Sequence, residues 1–313
     1  MILLSWLKKL WVKMNEAYHN PVLLNESVRG LKIKDDGVYV DVTFGGGGHS
    51  AEILRNLSAQ GKLISFDQDP DSKQNNLNEN NFYFINENFK HMKKFLKNLG
   101  ITKVNGILAD LGVSSFQINK PERGFSYRFD AKLDMRMDKK NKLDAHKIIN
   151  RYSNENLYNI FKNYGELNNA KEISKEIVSS RNKSIIDTTF DLNNIIKPLI
   201  PEKYFYKNLS KIYQAIRIEV NSEISVLKSL LEQSKELLVP GGRLSVISYH
   251  SIEDRLVKRY IKNGSFSPDV EKDFFGHFEV PFKKIGGLIT PSHKEIKNNV
   301  RSRSAKLRIA EKI

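Results

Sequence analysis

The chain opens its readable pattern with short apolar runs separated by longer amphipathic ones. Val38-Tyr39-Val40 ends on Asp41, the run from Gly61 ends on Asp67, Phe82-Tyr83-Phe84-Ile85 ends on Asn86, and the run from Val104 ends on Asp110. Their brevity and β-branching predict buried strands. Helical patterns lie around them: residues 25–31, 51–57, a polar helix after Pro70, and Lys93 to Leu99. Strands alternating with helices at this spacing predict βαβ units on a parallel sheet. In open α/β sheets, ligands bind outside the carboxyl ends of the strands.

The rhythm changes after Asp110. Residues 111–130 read as a long Gly, Ser and aromatic loop, and 131–210 as polar, Asn-rich helices without a strand. An inserted helical domain is therefore expected at 131–210, within a sheet domain made of 19–130 and 211–313. Ile212, Ile216, Val220, Ile224, Leu227 and Leu231 predict one long helix of about five turns, stopped by Pro240-Gly241-Gly242. Arg243–Ser248 reads as a fifth strand and 252–261 as a helix. Runs at 278–282 and 306–310 read as a terminal hairpin. Residues 1–18 are taken as an N-terminal extension, with Met14 as the expected true start and 1–13 as a short basic amphipathic stretch.

Between the first strand and its helix stands Asp41-Val42-Thr43-Phe44-Gly45-Gly46-Gly47-Gly48-His49-Ser50. Consecutive glycines allow a tight turn and clear the way for a ligand. Strand, glycine turn and helix together present backbone N–H groups and a helix N-terminus. Two ligand classes fit. Gly46-x-Gly48-x-x-Ala51, with Asp67 about 20 residues on, satisfies the fingerprint of nicotinamide dehydrogenases. S-adenosylmethionine-dependent methyltransferases share the acid after the second strand and add one at the end of the first, which is Asp41. A sulfonium and an ammonium suit an acid beside the glycines, whereas a pyrophosphate is repelled there. The methyl donor is favoured and the dehydrogenase stays open.

Charge narrows the partner. The formal net charge of +15 points to a polyanion, nucleic acid or an anionic membrane, with Lys- and Asn-rich codon usage as the other source. Lys294, Lys297, Arg301, Arg303, Lys306, Arg308 and Lys312 gather against only Glu295 and Glu311 from 293 onward. With Arg123, Phe125, Tyr127, Arg128 and Phe129 they offer phosphate contacts and flat rings for unstacked bases. There is no cysteine, so disulfides, thiolate zinc sites, Cys-bound iron–sulfur clusters and a cysteine nucleophile are excluded. The seven histidines show no close ligand spacing, and no metal is expected. No apolar run reaches the roughly 18 residues of a membrane span and no signal peptide is evident. A cytoplasmic protein that binds no membrane is expected.

Beyond the glycine turn, ordered motifs run over about 19–310: His19-Asn20-Pro21-Val22, Asp67-Gln68-Asp69-Pro70, Asp110-Leu-Gly112-Val-Ser114-Ser115, Glu122-Arg123-Gly124-Phe125-Ser126 and Leu133-Asp134-Met135-Arg136-Met137-Asp138, then Gln214-Ala215-Ile216-Arg217, Val220-Asn221-Ser222-Glu223, His250-Ser251-Ile252-Glu253-Asp254-Arg255 and Arg303-Ser304-Ala305-Lys306. With the turn, they resemble the RsmH (MraW) family of ribosomal RNA small subunit methyltransferases. The resemblance implies a Rossmann-like class I methyltransferase sheet with an inserted helical domain. It implies methyl transfer from S-adenosyl-L-methionine to the exocyclic N4 amine of a cytidine in 16S rRNA near the decoding site, on free rRNA or on the small ribosomal subunit. A homodimer is left open, as is a non-enzymatic RNA-binding ribosome assembly factor that keeps the fold without turnover. By the same resemblance Gly47, Gly48 and His49 hold the donor, Asp67 takes its ribose, Phe89 packs near the adenine, and Asp110 and Gln117 complete the pocket. Phe116, Ala131-Lys132, Tyr249 and Val300 depart from the family's usual residues.

The missing cysteine also bears on the acceptor. Methylating carbon 5 of a pyrimidine requires thiolate attack, and radical chemistry requires a Cys-bound cluster. An exocyclic amine needs neither; it needs in-line placement and a hydrogen-bond acceptor for its N–H. Asp110, Ser114, Ser115 or a loop carbonyl are candidates, with helix capping as the other role for the serines. Asp134 is a further candidate for the base amine, or the partner of Arg136 in an ion pair. His250 is read as an RNA contact or a helix cap.

Overall fold

The computed structural model describes residues 21–267 and 280–313. The N-terminal extension, His19 and the start of the 278–282 run lie outside them. The chain forms two compact units, one built from residues through Gly112 and from Val226 onward, the other from Val113–Ser225.

The first unit begins with α1 (Leu24–Gly30), β1 (Val38–Asp41), α2 (Gly48–Arg55), β2 (Lys62–Phe66), β3 (Phe82–Ile85), α3 (Met92–Asn98) and β4 (Val104–Asp110). The stretch after Pro70 is a 3-10 turn, Pro70–Asn75, and not an α-helix. It has no apolar face to bury, and Asp69 caps it by accepting from the N–H of Asp71 at 3.0 Å.

The second unit holds α4 (Ser115–Asn119), α5 (Ala145–Arg151), α6 (Asn154–Asn163), α7 (Ala170–Arg181), α8 (Thr189–Ile196) and α9 (Phe205–Asn221). It extends past 131–210 at both ends, because Phe125 and residues 209–220 join its core of Ile148, Phe161, Ile173, Ile177, Leu192 and Ile216. No named strand occurs among its described residues; Lys132 and Thr188 form an isolated bridge.

The chain returns to the sheet through α10 (Glu223–Leu237), β5 (Leu238–Ser248), α11 (Ser251–Asn263), β6 (Phe282–Ile289), α12 (His293–Asn298) and β7 (Lys306–Lys312). The expected long helix is two helices. Ser222 has φ 52°, a left-handed conformation that ends a helix. Beside it, Asn221 gives its side chain to the backbone of Met135 and Met137, at 2.8 Å each. The apolar period runs through this break because both helices bury one face. Pro240-Gly241-Gly242 lies inside β5, where the register with β4 shifts. The terminal pair is β6 with β7, antiparallel, separated by α12, so it is not a tight hairpin.

The sheet order is β3-β2-β1-β4-β5-β7-β6. β1 to β5 are parallel, and β7 runs antiparallel between β5 and β6. Alternation along each strand divides the core. Tyr39, Leu63 and Leu108 bury with Val28 and Ile53 on one face; Val40, Ile64 and Ile107 bury with Met92, Leu231 and Tyr260 on the other. Both faces covered is why these strands read as continuous apolar runs. The order reverses between β1 and β4, which opens a crevice at their carboxyl ends.

Candidate active site

The glycine turn starts where β1 ends. Asp41 is fully buried. It accepts from Ser50 Oγ at 2.6 Å and from the N–H of Thr43 at 3.0 Å, so its carboxylate lies behind the turn and ties the first turn of α2 to the strand. Gly47, at φ 78°, is the N-cap of α2, with no side chain capping it. Gly48 admits no other residue: a Cβ there would stand 2.2 Å from Pro21 Cγ. Asp67, just past β2, holds the turn from the other side. Its Oδ2 accepts from the N–H of Gly45 at 2.7 Å and its Oδ1 from the N–H of Asp69 at 2.8 Å.

Asp110 closes the set at the end of β4. Its N–H donates to Thr43 Oγ1 at 2.7 Å, and Tyr249 donates its hydroxyl to Oδ1 at 2.8 Å. His49 is buried, with Nδ1 3.9 Å from Asp110 Oδ2 and Nε2 3.2 Å from the carbonyl of Val22. Phe89 opens the 3-10 turn after β3, half-buried; its carbonyl accepts from Gln233 at 3.2 Å.

The electrostatics of this cluster are strained. Burial pushes the Asp67 carboxyl up to about 7, with the charges of Asp69 and Asp41 adding to it against the hydrogen bonds from Asp69 and Gly45. Burial likewise raises Asp110 to about 6, opposed by His49 and the Tyr249 hydroxyl and aided by Asp41 and Glu253. Burial raises Asp41 too, against His49, Ser50 and Thr43. The carboxyls stay raised despite His49 beside two of them, so further positive charge is favourable here. A ligand with positive charge beside the turn, and hydroxyls for Asp67, satisfies this donor set.

The remaining candidates lie in the second unit. Ser114 is the N-cap of α4 in a capping box with Gln117: Ser114 Oγ accepts from the N–H of Gln117 at 3.2 Å and Gln117 Oε1 from the N–H of Ser114 at 3.0 Å. Asp134 is clasped by Arg136, which donates Nε and one terminal nitrogen to its two oxygens at 2.8 Å each. Burial works to raise that carboxyl, but the Arg136 bonds outweigh it and leave it lowered. Arg123 is buried and donates to the carbonyls of Arg136 and Met137, and Phe125 is buried as well, so neither is part of an RNA surface.

Other rings of this unit do face outward. Tyr206 is 68% exposed, Tyr204 49%, Phe190 42% and Phe129 37%. Tyr127 joins them. Its ring lies 6.2 Å from that of Tyr206, and its carbonyl accepts from Asn193, beside Thr189, which bonds the carbonyl of Phe129. Arg128, Lys132, Lys203 and Lys207 are exposed on the same segments, against Asp130, Asp191 and Glu202.

In the first unit, the C-terminal basic cluster is partly spent. Arg308 and Lys306 pair with Asp254 at 2.7 and 3.7 Å, while Lys294, Lys297 and Arg303 are exposed. His250 takes the capping role: it is the N-cap of α11, paired with Glu253. Thr43, Ser50 and Tyr249 were missed from the sequence, since a hydroxyl beside a strand end carries no signature of its own.

A seven-stranded sheet of this order, antiparallel at its seventh strand, with acids after β1, β2 and β4 around a glycine turn, is the class I methyltransferase arrangement. The chain belongs to the MraW methylase family, which matches residues 16–313. The Ribosomal RNA small subunit methyltransferase H of Flavobacterium johnsoniae is 60% identical over 296 residues, which cover 95% of this chain and 98% of that one. Its namesake in Flavobacterium psychrophilum is 61% identical over 290 residues, 93% of this chain and all of the other. The Bacteroides thetaiotaomicron protein of that name is 51% identical over 297 residues, covering 95% and 98%. Membership in a methylase family removes the dehydrogenase alternative.

Proposed function

We propose that this chain transfers a methyl group from S-adenosyl-L-methionine to the exocyclic N4 amine of one cytidine in 16S rRNA, near the decoding centre, in the cytoplasm. The observation that carries the reading is the acid set around the glycine turn, Asp41 buried and Asp67 and Asp110 half-buried, each carboxyl raised by its withdrawal from water. Such a set favours a cationic donor. The donor, when bound, supplies a methyl carbon made electrophilic by a positive sulfur.

The chain's residues divide the work. Asp67 takes the ribose hydroxyls, Phe89 lies against the adenine, and Gly47, Gly48 and His49 hold the amino-acid end at the start of α2. Asp41 acts through its charge and by shaping the turn. Asp110 is the group that accepts a hydrogen bond from the acceptor amine and takes its proton. Gln117 is buried and answers Ser114 in the capping box. Ser114 and Asp134 hold their loops in shape through the capping box and the Arg136 clasp. The helical unit recognises RNA with its outward rings and basic side chains, on which unpaired bases stack.

Three facts support this acceptor. Relatives at 51–61% identity carry a ribosomal RNA methyltransferase name. The chain is strongly basic, and it has no cysteine for carbon-5 chemistry. Mass spectrometry of nucleosides from small-subunit rRNA, made with and without this protein, tests the reading. N4-methylated cytidine is expected to vanish without it and to return with the native chain but not with Asp110→Asn. An unchanged nucleoside profile, or the loss of a different methylated base, would overturn it.

A further inference from the structure

The end of β5 carries a group that the glycine turn and the acids do not account for. Tyr249 sits beside Gly112, where a Cβ would approach its ring Cδ2 to 3.4 Å; Gly112 itself has φ 102°, so the chain passes there without a side chain. The N–H of Tyr249 donates to Glu253 Oε2 at 2.9 Å, which ties the strand end to the first turn of α11. With the backbone held, the hydroxyl reaches Asp110 Oδ1 at 2.8 Å.

The two oxygens of Asp110 are thereby made different. Oδ1 receives the phenol. Oδ2 faces Nδ1 of His49 at 3.9 Å. The other ring nitrogen of His49 lies 3.2 Å from the carbonyl of Val22, and a carbonyl only accepts, so Nε2 carries the hydrogen. In the neutral ring, Nδ1 then turns a lone pair toward Oδ2, and a single proton on either atom makes the pair attractive.

We infer that Tyr249 is the positioning residue of Asp110: its hydroxyl pins Oδ1 and so leaves Oδ2 as the oxygen that faces His49 and serves the ligand. What that ligand is rests on the methyltransferase reading; the pinning does not. The charged and titratable groups facing the pair are His49 on α2, Asp41 after β1, Glu253 on α11 and Glu295 on α12. Burial, with the charges of Asp110, Glu253 and Glu295, holds the Tyr249 phenol well above its usual range. It therefore remains a donor across the working pH, and a donor to a carboxylate favours the ionised acid.

The test removes one atom. Tyr249→Phe keeps the ring and deletes the hydroxyl. Carbon-13 NMR of the aspartate carboxyls, in the full-length chain without ligand, follows Asp110 and Asp67 separately. The Asp110 midpoint is expected to rise by about one pH unit, with Asp67 unmoved. Incorporating 3-fluorotyrosine at 249, which strengthens the donor, is expected to move Asp110 the other way. Calorimetry with S-adenosyl-L-methionine supplies a second reading: Tyr249→Phe is expected to weaken binding several-fold at pH 6 and to recover most of it at pH 8. An Asp110 midpoint that is the same in native and variant chains overturns the inference. So does an equal loss of affinity at both pH values, the mark of a merely structural ring contact. Should the native chain bind no donor at all, the methyltransferase reading falls, while the NMR comparison still decides the role of Tyr249.

Discussion

In the sheet unit, Asp41, Asp67 and Asp110 converge under burial that raises every carboxyl. In the helical unit, the one half-buried acid of comparable interest, Asp134, is neutralised by Arg136, and the conspicuous groups are rings and cations on the outside. The contrast separates two kinds of recognition. Converging carboxyls partly withdrawn from water suit a small cation, because each interaction is stronger there than at the surface. A polymer is gripped by exposed rings and cations, where each contact is modest and many are needed.

Substitutions break this contrast in order of size. Asp110→Asn is expected to slow single-turnover methyl transfer by about 100-fold or more, the usual contribution of a positioned acid or base, with RNA affinity unchanged; an unaltered rate removes Asp110 from the chemistry. Asp67→Ala is expected to weaken S-adenosyl-L-methionine about 10- to 100-fold by calorimetry, because charged hydrogen bonds to the ribose and to the N–H of Gly45 go together. A loss under threefold would place the ribose elsewhere. Tyr206→Ala combined with Phe129→Ala is expected to reduce binding of single-stranded rRNA fragments about 30-fold or more, at about 1–3 kcal/mol per stacked ring, and to leave donor affinity alone. Intact RNA binding, or dissociation of a dimer into monomers, would mark the face as a protein contact.

The pH dependence sharpens the comparison without any substitution. Asp67 and Asp110 have folded-state pKa values of about 7 and about 6, above the ordinary 3.8. The folded chain therefore holds more protons than the unfolded chain from about pH 4 upward, and ligand-free stability falls as pH rises through that window to about 7. A cationic donor binds the ionised acids, so its affinity is expected to rise by about tenfold or more from pH 5.5 to 7.5, with protons released on binding. Thermal melts and calorimetry in buffers of different ionisation enthalpy check both signs. A donor affinity flat in pH would mean that the acids are already ionised without it.

Much of this was legible beforehand, for reasons that differ by residue. The strands ending on Asp41 and Asp110, and the one ending just before Asp67, showed in the chain because burial on both faces demands short, β-branched runs. The glycine turn showed because Gly47 needs a positive φ and Gly48 tolerates no Cβ against Pro21. The break at Ser222 did not show, because hydrophobic period is blind to a turn that preserves it. Nor did the fates of Arg123 and Arg308: a guanidinium in a sequence is equally a phosphate contact or a buried donor, and only its neighbours, carbonyls in one case and Asp254 in the other, choose between them.

By itself the sequence determined the sheet class, the acids at the strand ends, the family motifs and the exclusion of thiol chemistry, since these depend on local spacing and composition. Tertiary structure decided what each acid is free to do. Asp41 and Asp134 are committed to Ser50, Thr43 and Arg136, while Asp110 is divided between Tyr249 and His49. That division comes from residues 61 and 139 positions away in the chain. Hydrogen bonds reach about 3 Å, so chain distance says nothing of them until the sheet brings its strand ends together.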